Sequence, residues 1–331
     1  MKHPRTKTAK RKAINLIRSY GVLLSLVLVI LITGAIEKNF FTFENLLNVL
    51  RQNAVIGIVA CGMTYVIISG AFDLSVGAVV SLSGVIAITT INKGGGEMLA
   101  IGLALLVGIA VGIANGVLIS TINGKMGEAF IVTYGTQTVA AALAMYASGG
   151  LFVAGRIKEG FYKSIGKGMT PIAIFIVIAA ILQFVLAKTG FGRRLCFIGG
   201  NMKTARMSGI RIVQNRIAYF ALSGILSAIA GIILTSRVIS SNPAAGVGFE
   251  MDAIAAVVVG GTSMAGGKGS IAKTILGTIV IGVLSNALNI LGITSYPQMM
   301  VKGSIIIITV ALDVWNKQIK ERESANEKSY A

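Results

Sequence analysis

The chain has 331 residues, of which 54% are hydrophobic and only 13% charged, and its mean hydropathy is +0.81. This composition excludes an ordinary soluble domain and indicates an integral membrane protein. The net charge of +18 would suit a nucleic-acid-binding protein, but the cations flank apolar runs, where membrane topology accounts for them without nucleic acid.

Only 7% of residues are aromatic while 41 are glycine, a balance that favours closely packed helices over a strand barrel with aromatic girdles. The single histidine, His3, lies in the polar N-terminal arm, which removes His-based metal sites and most His-dependent acid–base chemistry. Cys61 falls in an apolar run and Cys196 in a basic loop, so no disulfide is expected.

In chain order, a basic arm over 1–19 carries Lys2, Arg5, Lys7, Lys10, Arg11, Lys12 and Arg18, with no acid before Glu37. The first apolar run, Tyr20–Ile36, is too long for a signal core and is expected to remain as an uncleaved helix. The polar stretch Glu37–Asn53 is expected to lie along the outer interface. Further runs follow at Ala54–Ser69, Gly77–Ile91, Leu99–Ile122, Ala129–Ser148, Pro171–Ala187, Asn215–Arg237, Asp252–Thr262, Lys273–Ile293 and Met299–Trp315. The expected fold class is therefore all-α and polytopic, with about ten transmembrane helices in a membrane domain over 20–315.

Charge fixes an orientation. Six crossings from a cytoplasmic N-terminus return the chain to the cytoplasm at a second basic set: Lys188, Arg193, Arg194, Lys203, Arg206, Arg211 and Arg216. Four more leave the tail over 316–331, with Lys317, Lys320, Arg322 and Lys328, on the same side. Both termini are thus expected in the cytoplasm, together with a loop over about 188–214.

Two distant segments align: Ala71–Gly84 (AFDLSVGAVVSLSG) and Gly248–Gly261 (GFEMDAIAAVVVGG) pair Phe72 with Phe249, Asp73 with Glu250 and Gly84 with Gly261. The first opens the third expected helix and the second the eighth, so the copies run in opposite directions, the pattern of an inverted repeat of five-helix halves. Asp73 and Glu250 read first as carboxylates capping helix N-termini. A place on a substrate pathway for Phe72, Asp73, Ser75, Phe249 and Glu250 is the alternative. With ten crossings, Asp73 lies near the cytoplasmic face and Glu250 near the outer one, so they share no site without re-entrant geometry.

The loop 188–214 contains NMKTARMSGI, bounded by Gly200 and Gly209, which predicts a short surface helix. Topogenic charge and lipid contact would explain it; so would docking of a cytoplasmic partner, with Ala205 and Gly209 small enough to let a partner close in. The segment GGTSMAGGKGS, Gly260 to Ser270, is not a phosphate-binding loop, because Gly269 follows the Gly-Lys pair and no soluble strand precedes it. Its glycines suit a tight turn and close helix packing.

Three motifs, GMTYVIISGAFDLSVGAVVSLSG, GFGRRLCFIGGNMKTARMSGI and GVGFEMDAIAAVVVGGTSMAGGKGS, occur in an order that resembles the permease subunits of bacterial ABC importers for monosaccharides, the ribose, xylose and galactose permease group. The resemblance implies a plasma-membrane permease that acts as a dimer or with a related permease. It also implies a cytoplasmic ATP-binding subunit that holds ATP and Mg, an extracytoplasmic sugar-binding protein, and no cofactor or catalysis in this chain. In such transporters the matching loop couples to the ATPase, which carries over to Gly199, Asn201, Thr204, Ala205, Arg206, Ser208, Gly209 and Ile210. The family commonly has a second Asn where this chain has Met202.

Polar groups in the apolar runs that suit a pathway lining are Thr64, Gln137, Ser227, Asn286 and Asn289; interhelical hydrogen bonds would equally explain them. An ion-coupled secondary transporter would call for acids well inside a span, and none is expected there. A membrane enzyme would need a nucleophile and base that the sequence lacks. Nucleosides, a furanosyl signalling molecule and branched-chain amino acids are alternative cargoes.

Overall fold

The computed structural model describes residues 30–122, 124, 126–294, 296–308 and 311. The arm 1–19, most of the first apolar run and the tail 316–331 lie outside the described residues, so their expected structure and sidedness stay there.

Residues 30–36 are helical, and a 3-10 turn, Lys38–Phe41, leads into α1 (Phe43–Ile68). Thr42 starts α1 by accepting the Asn45 backbone N–H at 3.3 Å. From Phe43 onward the stretch expected along the interface is instead the first turns of this long helix. Two of its polar residues turn into the fold: Asn45 and Asn286 exchange two hydrogen bonds of 3.0 and 2.8 Å, and Asn53 is buried against Gly282, while Glu44, Asn48 and Gln52 are exposed. Part of the polarity that looked interfacial is an interhelical seam.

The chain continues through α2 (Val76–Asn92), α3 (Glu97–Thr121), α4 (Met126–Ser148), β1 (Val153–Ala154), α5 (Phe161–Ile165) and α6 (Thr170–Lys188). Then come α7 (Gly190–Gly200), α8 (Met202–Met207), α9 (Ile212–Val238), β2 (Ser240–Ser241), α10 (Phe249–Val259) and α11 (Ile271–Ile290), followed by helical residues 296–308. Among the described residues, six helices are long and apolar enough to cross a membrane: α1, α3, α4, α6, α9 and α11. The 17-residue α2 is apolar but shorter, and α10 has 11 residues, about 16 Å, too little to span alone.

Helices α1 and α9 form the centre, while α3, α4 and α6 turn large apolar side chains such as Leu106, Ile131 and Phe184 outward. With lipid as the surrounding solvent, no hydrophobic gain drives helix against helix, so close van der Waals contact must do it. The α3–α9 contact meets that need. Residues Ala100, Ala104, Gly108, Gly112, Gly116 and Ser120 recur every fourth position on the buried side of α3. Gly108 lies against Gly224 and Ala228, Gly112 against Phe220 and Ala221, and Gly116 against Ile217, so the two helices run antiparallel almost backbone on backbone.

On the other side of α9, Asp73 meets Ser223, Val80 meets Gly231 and Gly84 meets Thr235, so α2 and α9 run parallel. At one end of the molecule the end of α1, α7 and the loop 260–270 converge. At the other end β1 and β2 pair antiparallel, Val153 opposite Ser241, and α5 packs on the end of α9.

Candidate functional site

Helix α1 ends where Gly70, at φ +82, lets the chain turn back: Gly70 N–H donates to Ile67 O and Ala71 N–H to Val66 O. In the turn that follows, Asp73 is 1% exposed. Its Oδ1 accepts the Ser75 hydroxyl at 2.6 Å, the Ser75 backbone N–H at 3.1 Å and Asn115 Nδ2 at 3.4 Å; its Oδ2 accepts the Ser223 hydroxyl at 2.8 Å. Asn115 also donates to Ser75 Oγ at 2.9 Å, and Thr133 Oγ1 accepts the Leu74 N–H at 3.1 Å. Asp73 therefore closes an Asx turn ahead of α2 and ties that turn to α3 and α9; it does not cap the helix as expected, since Ser75 is the N-cap residue and no side-chain cap bond is made there. Asn115, Thr133 and Ser223 were not singled out from the sequence, although each is a polar residue within an apolar run.

Beyond α9 the chain does not remain at the far end. Residues 239–248 turn back along α2: Ser81 Oγ accepts the Gly246 N–H at 2.8 Å, and Gly246 and Gly77 touch with no room for a side chain on either. Glu250, in the first turn of α10, also packs on Gly77. Since Asp73 sits level with Ser223 and Gly84 level with Gly231 and Thr235, Gly77 lies near the midpoint of α9. Glu250 is thus buried halfway along the bundle, which corrects its expected place near the outer face. The geometry is re-entrant, and it brings Glu250 one turn of α2 from Asp73.

The two carboxylates differ in role. Asp73 precedes its helix, while Glu250 is the second residue of α10, after Gly248 at φ +89. Glu250 Oε1 accepts Gln137 Nε2 at 3.4 Å, and Oε2 is buried without a hydrogen-bond partner. Phe249 is half-buried beside it. Asp252, also buried, pairs with Lys302 at 2.9 Å. Glu250 and Asp252 are thus buried acids in the first turn of α10, which is not one of the helices long enough to span.

The surface pair α7–α8 carries the remaining predicted residues. Thr189 and Asn201 cap the two helices, Asn201 Oδ1 accepting the Thr204 N–H at 3.0 Å. Gly209, at φ +78, ends α8: its N–H donates to Arg206 O, and Ile210 N–H to Ala205 O. Helix α7 was not expected, because four of its 11 residues are glycine; it forms by burying Leu195 and Ile198 and exposing Arg193 and Arg194. Thr204, Arg206, Ser208 and Gly209 are exposed, as are Phe197 and Met207, two apolar side chains not anticipated. Ala205 points inward and is fully buried, so it offers no surface to a partner. Gly199 packs on the Ile68 carbonyl and Gly267, whose N–H donates to Ile68 O at 2.8 Å; Ile210 is half-buried. Burial pushes the Cys196 thiol up from its ordinary range.

The polar lining candidates have hydrogen-bond partners, although Asn289 lies exposed in the last turn of α11. Thr64 and Thr274 hydroxyls bond at 2.8 Å, Ser227 donates to Ser223 O at 2.9 Å, and Asn289 accepts Gln298 at 2.7 Å. Asn286 bonds Asn45, so Asn286 and Asn289 do not form one site. Among the described residues no group of three or more His, Cys, Asp or Glu side chains is placed to hold a metal ion.

Residues 45–310 match the family model described as branched-chain amino acid transport system / permease component. The chain is 43% identical to the ribose import permease protein RbsC of Bacillus subtilis, covering 88% of this chain and 92% of that protein. It is 41% identical to the RbsC of Haemophilus influenzae (88% and 91%) and 34% identical to the L-arabinose transport system permease protein AraH of Escherichia coli (91% and 92%). No solved structure gives a significant match. A match over this much of the chain, to a model and to relatives of nearly equal length, settles the class: the chain belongs to the transport-system permease-component family.

Proposed function

We propose that this chain is the membrane-spanning permease subunit of an ATP-driven (ABC) importer for a monosaccharide such as ribose, galactose or xylose. The observation that carries the reading is the 43% identity to a ribose import permease over 88% of the chain. The relatives named for L-arabinose and D-allose keep the cargo within small sugars. A branched-chain amino acid is the second reading, favoured by the description of the matching family. Family membership, rather than an absence of buried acids, argues against an ion-coupled carrier.

In this reading ten crossings place α7 and α8 in the cytoplasm of a bacterial cell, against a separate ATP-binding subunit that holds ATP and Mg; the permease itself binds no cofactor and catalyses nothing. The exposed Arg206, Met207 and Ser208 suit such a contact. The two halves are inverted repeats, a reading supported by α2 leaving the end of the molecule that α10 approaches. Non-helical backbone at membrane depth requires protein or water around it. Residues 239–248, with Ala244 and Val247 exposed midway along the bundle, therefore face a second permease copy and the pathway between the two. A polar sugar crosses when ATP binding biases one of two states through the α7–α8 contact.

The test is reconstitution in liposomes with the ATP-binding subunit and the binding protein of the same system. ATP-dependent uptake of labelled ribose, xylose or galactose is expected; uptake of leucine instead selects the second reading, and ion-driven uptake without the ATPase defeats both. Arg206→Glu with Met207→Glu should abolish substrate-stimulated ATP hydrolysis while the permease still inserts.

A further inference from the structure

We infer that a groove at the end of the molecule opposite α7 and α8 binds a phosphate group, of the kind that the headgroup of an anionic phospholipid carries. Arg51, Lys163, Lys167 and Arg237 line it together with Gly166, Gly168, Ser236 and Ile239, and it encloses about 400 Å³, within the range of small-molecule pockets. Among the described residues no carboxylate lines it. The inference holds whatever cargo the permease carries.

The cations converge from separate elements: Arg51 from α1, Lys163 from α5, Lys167 from the turn before α6, and Arg237 from the last turn of α9. Arg51 Nε donates to Gly168 O at 2.8 Å, which holds the guanidinium across the groove rather than free in water. Helix α5 is fixed to the end of α9 by the Tyr162–Thr235 hydroxyl bond at 2.6 Å and by Ser236 Oγ donating to Tyr162 O. The nearby carboxylate of Glu97 is engaged by the Tyr162 N–H at 2.8 Å. Gly166 makes the approach of α5 to α9 feasible, since a methyl there would lie 2.6 Å from Arg237 Cα. Lys163 pairs at 3.1 Å with Glu159, whose side chain is 82% exposed, a contact that water largely screens. Among the described residues Arg51, Lys167 and Arg237 form no ion pair, and Arg51 is close enough to Arg237 for the two guanidinium groups to repel each other. An anion between them relieves that repulsion.

The position of the groove selects the anion. Arg237 is the residue before the last of α9, and α6 begins two residues after Gly168, so the groove lies at the level where two spanning helices end. Hydrocarbon gives way to phosphate headgroups at that level, and basic pockets between transmembrane helices hold such headgroups. Arginine adds forked hydrogen bonding to phosphate oxygens. From beside the groove, α6 runs toward the other end of the bundle with Ile176, Val177, Ile181 and Phe184 exposed, an apolar face for the acyl chains of a lipid whose headgroup is seated above. A soluble anion would make no use of that face. In the proposed orientation the groove is on the outer side, where topogenic selection disfavours Lys and Arg, so four of them together need a reason other than topology.

The full chain would be purified in a neutral detergent and titrated with dioctanoyl phosphatidylglycerol or dioctanoyl phosphatidylcholine, with bound lipid counted by native mass spectrometry and inorganic phosphate added as competitor. Saturable binding of phosphatidylglycerol, about tenfold or more tighter than phosphatidylcholine, whose choline would meet the cations, is expected. Lys167→Gln, at an exposed side chain, should weaken it about fivefold. Arg51→Gln, Lys167→Gln and Arg237→Gln together should reduce it to the phosphatidylcholine level, while Lys188→Gln at the opposite end should leave it unchanged. Phosphatidylglycerol binding that neither Lys167→Gln nor the triple variant weakens would overturn the site, and the single variant alone decides where the triple variant does not fold. Protection from thermal unfolding by inorganic phosphate that Lys167→Gln reduces, with no preference for phosphatidylglycerol, would support the phosphate site and assign it to a soluble phosphate. Neither lipid preference nor phosphate protection in the wild-type chain would overturn it.

Discussion

Replacing Asp73 by alanine removes the acceptor for three short hydrogen bonds, from Ser75 O–H (2.6 Å), Ser223 O–H (2.8 Å) and Ser75 N–H (3.1 Å). At roughly 1 kcal/mol net for each, the loss comes to about 3 kcal/mol. Asn115 moderates it by retaining its bond to Ser75 Oγ. Asp73→Asn should cost about 1 kcal/mol, because the amide keeps one acceptor for Ser75 and can donate to Ser223, whose hydroxyl turns to accept. Unfolding of the purified permease in mixed micelles with increasing denaturing detergent measures both. Sugar preference, read by uptake competition, should not change in Asp73→Asn. Full stability in Asp73→Ala together with an altered cargo spectrum would refute the turn-anchoring role and make Asp73 a contact for substrate.

Gly112→Leu should separate α3 from α9 and cost several kcal/mol, since even its first carbon would sit 2.8 Å from Ala221 Cα; Gly102→Leu, with no neighbour within 4 Å, should be nearly neutral in the same unfolding assay. Lys302→Met leaves Asp252 buried without its cation and should cost about 3 kcal/mol, of which Asp252→Asn in the same chain recovers a large part, a coupling measured by a double-mutant cycle. Ser208→Cys should react with a membrane-impermeant maleimide in inside-out vesicles and not in intact cells; labelling only from outside would overturn the orientation. The native Cys196 should contribute little background near pH 7, because its raised pKa leaves less thiolate than an ordinary thiol has, and labelling of it should rise as pH increases.

Much of this was legible in the sequence because the features are local. Asn201 and Gly209 announce the ends of α8, and Asp73 two residues before Ser75 announces an Asx turn, through bonds between near neighbours in the chain. What escaped depends on distant partners. Asn45 and Asn53 made the start of α1 look interfacial, since nothing nearby reveals that Asn286 and Gly282 face them. Ala205 reads as small and available, yet the same size lets it turn into the core. The depth of Glu250 required knowing that Gly77 and Gly246 lack side chains where the chain after α9 meets α2. Apolar runs separate lipid from water well; they say little about which turn of a helix meets which.

The meeting of Gly199, the Ile68 carbonyl and Gly267 has a mechanical consequence. Flexible side chains between moving parts absorb a small displacement by changing rotamer, whereas here main chain bears directly on main chain. A shift of α7 imposed from outside the bundle is delivered without slack to the last turn of α1, five residues ahead of Asp73, and to the loop that feeds α11. The joint works as a rigid linkage, and its stiffness comes from the smallest residues in the chain.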